Sequence, residues 1–221
     1  MKKGVKKKSV KKRAVKESND FVSNTKAFDN YGKGWKVMAS GFWTLVAVGI
    51  VAFLIDFVRG FFKSGLLSFL ISVFVVGPIT FGSAWVFLKA ARKDKYSLGD
   101  MFSVFKRNYL NIVVANLLMI IFVFVGLILL IIPGIIVAVR LAFVPYFAVD
   151  RKMKGMEAIK ASWRMTKGHS WTIFGMYLLA IPIALLGLIC LVVGVFVSIA
   201  WIGSSFAVLY HSVSLKKGKK K

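Results

Sequence analysis

The sequence predicts an all-α membrane protein with six transmembrane helices, amphipathic helices on the cytoplasmic side and an internal hairpin repeat. Hydrophobic residues make up 58% of the 221 positions, above the roughly 45 to 50% of soluble globular domains. They are collected in runs long enough to cross a bilayer, which takes about 20 residues per helix. The formal net charge of +24 lies almost entirely between these runs and at the two ends of the chain, so it belongs to water-facing segments.

Both ends of the chain are basic, and we expect residues 1–27 and 214–221 to be tails outside the membrane. The first begins MKKGVKKKSVKKRAVKE, which cannot bury apolar surface and repels itself, so disorder is predicted. Such a polybasic tail can set the topology, remain a solvated arm or bind anionic lipid headgroups. Nucleic acid is a disfavoured partner because no aromatic residue precedes Phe21.

Six apolar segments predict six membrane-spanning helices. Two apolar runs, residues 109–149 and 171–213, are too long for one crossing each. We expect the first to break at a Pro133-Gly134 turn and the second between residues 187 and 194. The spans predicted in this way cover roughly residues 37–58, 66–89, 110–132, 134–149, 171–188 and 193–212, within a membrane domain of residues 28–213.

The positions of the positive charges predict how the chain is threaded. If both ends lie on one side, that side also receives the connections at residues 89–109 and 150–170, and with them all but three of the 32 Lys and Arg residues. The exceptions are Arg59, Lys63 and Arg140. By the positive-inside rule we expect both termini to be cytoplasmic, in the inner membrane of a prokaryotic cell.

The two inner connections are predicted to form amphipathic helices that lie flat in the headgroup region. Ser97 followed by Asp100 is a capping-box start, and residues 28–35 resemble such a helix more weakly. The predicted apolar faces are Leu98, Met101, Phe102, Phe105 and Tyr109 in the first helix, and Met156, Ile159, Trp163 and Thr166 in the second. The predicted polar face of the second is Glu157, Lys160, Arg164 and Lys167.

An internal repeat is indicated by a constant offset between two parts of the chain. When Lys106 is aligned with Lys167, an offset of 61 residues, Ile112 falls on Ile173 without a gap. Each unit then consists of an amphipathic helix followed by a hairpin of two spans. A third unit, built on the first two spans, needs a different offset, and chance similarity among apolar residues is the alternative explanation.

Arg140 is the most informative single residue because it is a charged side chain within a predicted span. A charge at that depth is costly, so it should face the bundle or water and have a partner. Asp56, the only carboxylate inside an apolar run, is the expected partner, and Asn111, Asn116 and carbonyls freed by Pro145 are the alternatives. Arg140 is then either a buried packing group or a ligand for an anionic substrate or lipid phosphate.

The sequence offers little for catalysis. His169 and His211 are expected at the headgroup level, and no group of acids, His or Cys has metal-ligand spacing. We expect no enzymatic activity, no metal and no cofactor. The candidate functional residues are those that charge, proline or an aromatic ring sets apart in the membrane domain: Arg140, Asp56, Pro133, Gly134, Pro145, Asp150, Trp163 and Lys167.

One ordered set of motifs is specific in its spacing: IIPGIIVAVRLAFVPYFAVD, then EAIKASWRMTKGH, then the LLGLICLVVG turn and a closing Tyr210. GPITFG and SLGDMFSVFKRN precede it. The set resembles the membrane domain of glycerophosphoryl diester phosphodiesterases and related six-helix membrane proteins of unknown function, over about residues 28–213. The resemblance implies a compact six-span bundle with amphipathic inner segments. It implies no phosphodiesterase activity, because that family's catalysis lies in a separate soluble barrel outside this domain.

Two functions remain open from the sequence. The first is a non-enzymatic membrane module that supports lipid or envelope homeostasis, or a partner protein, by binding anionic headgroups with a basic cytoplasmic face. The alternative is a small transporter or permease for an anionic or amphiphilic solute, with Arg140 in its pathway. A water-filled vestibule lined by Arg140 would favour transport, and a filled bundle with a paired Arg140 would favour the module. The oligomeric state is left open.

Overall fold

A computed structural model describes residues 26–61, 65–106 and 108–218, and within them the chain is helical with no strand. Most of the basic N-terminal segment and the last three lysines lie outside the described residues. The helices are α1 Ala27–Ser40, α2 Phe42–Gly60, α3 Gly65–Ala91, α4 Gly99–Lys106, α5 Tyr109–Leu129, α6 Ile131–Leu141, α7 Val144–Asp150, α8 Gly155–Thr166, α9 Ser170–Ile189 and α10 Leu191–Gly218.

The six predicted spans are confirmed as helices long and apolar enough to cross a membrane. Their bounds are Phe42–Gly60, Gly65–Ala91, Tyr109–Leu129, Ile131–Asp150, Ser170–Ile189 and Val193–Leu215. The first begins later than predicted because residues 37–40 complete α1. Helix α10 continues to Gly218, so the first residues of the predicted C-terminal tail are helical. The chain is an all-α, polytopic membrane protein.

The predicted Pro133-Gly134 turn is wrong by three residues. The chain reverses at Leu130, which has extended backbone angles, and Pro133 lies in the first turn of α6. Proline is tolerated there because the first N–H groups of a helix have no intrahelical acceptor. Gly134 instead allows α5 and α6 to pack closely. A Cβ on Gly126 would lie 3.0 Å from the Gly134 Cα, so α5 and α6 are nearly in backbone contact.

Pro78 interrupts the regular hydrogen bonding of α3. It has no N–H to donate to the Phe74 carbonyl one turn earlier, and the helix takes a π-helical turn over Ser72–Val76. The Tyr109 hydroxyl, at the start of α5, donates to that Phe74 carbonyl at 2.8 Å. The interruption therefore joins α3 to α5.

The helix bounds follow the predicted repeat. Helices α5 and α9 begin at Tyr109 and Ser170, and α6 and α10 begin at Ile131 and Leu191, within one residue of the 61-residue offset. A short helix precedes a hairpin of two spans in both units, and α1, α2 and α3 follow the same order. The third unit therefore has the same order of helices as the other two, although it needs a different offset in the sequence.

Helix α1 is packed into the bundle instead of lying beside it. A Cβ on Gly34 would lie 2.1 Å from the Ser205 Oγ, so α1 meets α10 at close range. The Tyr31 hydroxyl donates to the Met176 carbonyl at 2.8 Å, and the Trp201 ring N–H donates to the Tyr31 carbonyl at 2.9 Å. Burial raises the pKa of the Tyr31 hydroxyl above its ordinary value.

The predicted helices α4 and α8 are confirmed, and only part of each predicted apolar face packs on the bundle. Small residues turn toward the bundle because they allow the backbones to approach, and a Cβ on Gly155 would lie 2.9 Å from the Ala115 amide nitrogen. The residues that α8 buries are Gly155, Ala158, Ile159, Ala161, Ser162, Met165 and Thr166. Met156 and Trp163 point outward with 42% and 45% exposure, and Phe102 and Phe105 of α4 do likewise.

Candidate functional site

The candidate site is built where α8 crosses the break between α6 and α7. Pro145 cannot donate an N–H to the preceding turn, so the helix ends at Leu141 and restarts at Val144. The Ser162 hydroxyl donates to the Arg140 carbonyl at 2.7 Å and accepts from the Phe143 N–H at 3.2 Å. One buried serine of α8 therefore satisfies both sides of the break.

The Arg140 side chain lies beside these backbone contacts. Its guanidinium carbon is 5.7 Å from the centre of the Trp163 ring, a distance at which the ring quadrupole attracts a cation. Its Nη1 is buried and makes no hydrogen bond with any residue in the described part of the chain. Arg140 is thus held by an aromatic face while part of its donor capacity is unused.

The expected partners of Arg140 are all engaged elsewhere. Asp56 forms an ion pair with Arg59, three residues along α2, at 2.7 Å and with both side chains partly exposed. The Asn116 amide donates to the Val73 carbonyl of α3 at 3.4 Å. The Asn111 amide donates to the Asn108 side chain, one turn earlier. The predicted pairing of Arg140 with Asp56 is therefore wrong, because Asp56 has a closer cation on its own helix.

A groove of about 500 Å³ lies on the outer side of α8. One wall is Phe122 of α5, and the other carries the outward face of α8. The lining side chains are Phe122, Met156, Ile159, Lys160, Trp163 and Arg164. The groove therefore combines an apolar wall with two cations, and the ring that contacts Arg140 forms part of it.

Asp150 is the centre of a separate network at the end of the bundle. It forms a two-point ion pair with Arg92, at 2.5 and 2.7 Å, and it accepts a hydrogen bond from the Tyr210 hydroxyl at 3.1 Å. The ion pair raises the pKa of Arg92 above its ordinary value. Arg92 follows α3, Asp150 ends α7 and Tyr210 lies in α10, so this network joins three spans.

The Tyr210 ring is fully buried and extends the same network into an aromatic cluster. It stacks on Tyr146 with the ring centres 4.9 Å apart and meets Phe143 and Phe147 edge-on at 5.6 and 5.4 Å. Such pairs add roughly 0.5 to 1.5 kcal/mol each beyond area burial. Sequence analysis selected Asp150 but missed Arg92, because nothing in the sequence distinguishes it from the other basic residues of its connection.

Two further acids of the connections at residues 89–109 and 150–170, Asp100 and Glu157, are also hydrogen-bonded. Asp100 accepts from Lys89 at 2.7 Å and from the Ser97 N–H at 2.8 Å, which confirms the predicted helix start. Burial alone would raise the pKa of Asp100, but these two donors lower it below the ordinary value. Glu157 accepts from the Lys154 N–H at 3.3 Å and so caps α8.

A second cavity, of about 420 Å³, lies between α2, α3, α7, α9 and α10. Pro145 and Tyr146 line it on one side, and Thr80 and Ser83 on another, but its lining contains no charged side chain and Arg140 is not part of it. Arg140 lines neither this cavity nor the groove on α8, so neither of them is the Arg140 vestibule that would favour transport.

The structure brings two of the eight candidate residues together, Arg140 and Trp163. Asp150 lies in its own network, Pro145 makes the break and lines the cavity, and Lys167 is an exposed residue at the end of α8. Pro133, Gly134 and Asp56 belong to the far end of the spans. Ser162 and Lys160 were missed as site residues, although their spacing on α8 places them beside Trp163.

Comparisons of the chain with models of protein families, with curated proteins and with solved structures each gave no match. The resemblance to the membrane domain of glycerophosphoryl diester phosphodiesterases therefore stays a prediction that rests on the motifs alone.

Proposed function

We propose that this chain is a non-enzymatic integral membrane protein that binds anionic lipid headgroups with the end of the bundle that carries α4 and α8. In this proposal that end faces the cytoplasm, in the inner membrane of a prokaryotic cell. Binding there supports membrane lipid or envelope homeostasis, or holds a partner protein at the membrane.

The observation that supports the proposal is an excess of exposed cations at this end. Asp100 and Asp150 form ion pairs with Lys89 and Arg92, which leaves Asp94 and Glu157 as the acids of the two connections that offset the exposed cations. The exposed cations are Lys95, Lys106, Arg151, Lys152, Lys154, Lys160, Arg164 and Lys167. Each Lys or Arg near an anionic leaflet contributes on the order of 1 kcal/mol.

The permease alternative has less support. The cavity between the spans has a volume within the range of small-molecule sites, but its described lining has no cation. An anionic solute would lose its hydration there without gaining a counterion. The cavity suits an apolar or weakly polar molecule better than the anionic solute that the alternative requires.

The proposal predicts selective contact with anionic lipid. The full-length protein is reconstituted into phosphatidylcholine bilayers that contain a spin-labelled probe, either phosphatidylglycerol or phosphatidylcholine, and the immobilised fraction of each probe is measured. We expect several-fold preference for phosphatidylglycerol, decreasing as salt rises because exposed charges are screened.

A variant with Lys95, Lys152 and Lys154 replaced by glutamine serves as the comparison. It should keep the fold, since these side chains are exposed, and lose part of the preference. Equal immobilisation of the two probes by the wild-type protein at low salt would refute the proposed function.

A further inference from the structure

We propose that the outer face of α8 is a defined site for one molecule of anionic phospholipid. Its phosphate lies against Arg140 and Lys160, and one acyl chain lies in the groove beside Phe122. This inference deepens the proposed function and rests on it, because it assigns the lipid contact to particular residues in place of a general basic surface.

The headgroup side of the site depends on Arg140. The Arg140 guanidinium is partly exposed, and its buried Nη1 makes no hydrogen bond with the described residues; a partly desolvated cation of this kind is stabilised by a counterion at its exposed nitrogens. The acid expected to supply one, Asp56, is bound to Arg59. A phosphate oxygen is the acceptor that an arginine binds well, through parallel N–H donors. Trp163 contacts the guanidinium and also lines the groove, so this ring connects Arg140 to the groove.

Charge complementarity favours an anion on this face. Lys160 and Arg164 line the groove, one turn apart on α8, and long cationic side chains of this kind reach from an apolar wall to a polar headgroup. Glu157 is the acid of α8, and its carboxylate caps the N-terminus of the helix at Lys154. The groove thus presents cations to its occupant while the carboxylate of the same helix is used elsewhere.

The shape and lining of the groove favour an amphiphile over a free anion. Phe122, Met156, Ile159 and Trp163 supply its apolar wall. Phe122 is thirteen residues beyond Tyr109 on α5, about 20 Å along the helix, so the groove lies against the apolar surface of a span. A free phosphate ion would leave this wall uncovered, whereas a phospholipid covers it with a chain.

Native mass spectrometry of the full-length protein tests the site. The detergent-solubilised protein is incubated with dioleoylphosphatidylglycerol or dioleoylphosphatidylcholine, and retained lipids are counted. We expect one tightly retained phosphatidylglycerol in the wild type, about tenfold weaker retention in Arg140→Gln, because a charge-assisted hydrogen bond is lost, and about fivefold weaker retention in Lys160→Gln.

The matched control is Arg59→Gln, which removes the same charge at the opposite end of the spans and should retain the lipid as the wild type does. Arg140→Gln keeps the fold contacts, since Ser162 binds the Arg140 backbone carbonyl. Lys160 is exposed, so its variant gives an independent result.

Three outcomes would overturn the inference. Retention in Arg140→Gln equal to that in Arg59→Gln would remove the site but leave the proposed function intact if the spin-label preference persists. Equal retention of phosphatidylcholine by the wild type would remove its selectivity for anionic lipid. Displacement of the lipid by millimolar inorganic phosphate would show that the acyl chain adds nothing to binding. The groove would then be a site for free phosphate and not for a lipid.

Discussion

Asp150→Ala is expected to lower the free energy of unfolding by about 3 kcal/mol, the low end of the cost of breaking a buried ion pair. The low end applies because the Arg92 and Asp150 side chains retain 24% and 13% exposure. The substitution leaves the Arg92 guanidinium without its carboxylate and removes the acceptor of the Tyr210 hydroxyl. For a chain of this length the melting temperature in detergent should fall by roughly 10 °C.

Two further substitutions provide comparisons for the loss of stability expected in Asp150→Ala. Tyr210→Phe removes one hydrogen bond and keeps the aromatic cluster, so it should cost about 1 kcal/mol. Asp56→Ala breaks the exposed pair with Arg59 and should cost no more than about 1 kcal/mol. A melting temperature for Asp150→Ala that matches that of Asp56→Ala would show that the Arg92–Asp150 network does not hold the three spans together.

Gly82→Ala is expected to destabilise the protein by about 3 kcal/mol, because overpacking a close helix contact forces the backbone to move. A Cβ at this position of α3 would lie 2.0 Å from the Met101 carbonyl oxygen of α4. The clash is with backbone, so no side-chain rotation relieves it, and α4 must separate from α3.

The control for Gly82→Ala is Gly32→Ala in α1, where the added Cβ meets no atom within 4 Å. Alanine is the better helix former by about 0.5 to 1 kcal/mol, so this substitution should stabilise the protein slightly. The two variants are compared by thermal unfolding in the same detergent. Equal melting temperatures would show that α4 does not pack closely on α3.

The spans were predictable because hydrophobicity over about 20 residues is a strong and local signal. The 61-residue offset relates the starts of α9 and α10 to those of α5 and α6, since each repeat places its breaks at equivalent positions. The Pro133-Gly134 turn was misplaced for a local reason. Proline marks the beginning of a helix as readily as a turn, and only the structure shows that Leu130 is the residue that leaves the helix.

The site was less predictable because its contacts join residues that are far apart in the sequence. Arg140 and Trp163 were both selected, but Arg140 was paired with Asp56 although Arg59, three residues from Asp56 on the same helix, is the nearer cation. The inward face of α8 was missed because a count of large apolar residues favours Met156 and Trp163. The small residues Gly155 and Ser162 decide the packing through backbone approach, which hydrophobicity does not record.

The threading of the chain is tested most directly by the accessibility of its single cysteine. Cys190 is exposed at the turn between α9 and α10, on the side opposite to Lys95 if the positive-inside rule holds. A membrane-impermeant thiol reagent should label Cys190 in intact cells, and should label a Cys190→Ser/Lys95→Cys variant only after the membrane is permeabilised. Labelling of Lys95→Cys in intact cells, with Cys190 reached only after permeabilisation, would place the basic end outside and contradict the cytoplasmic lipid-binding face.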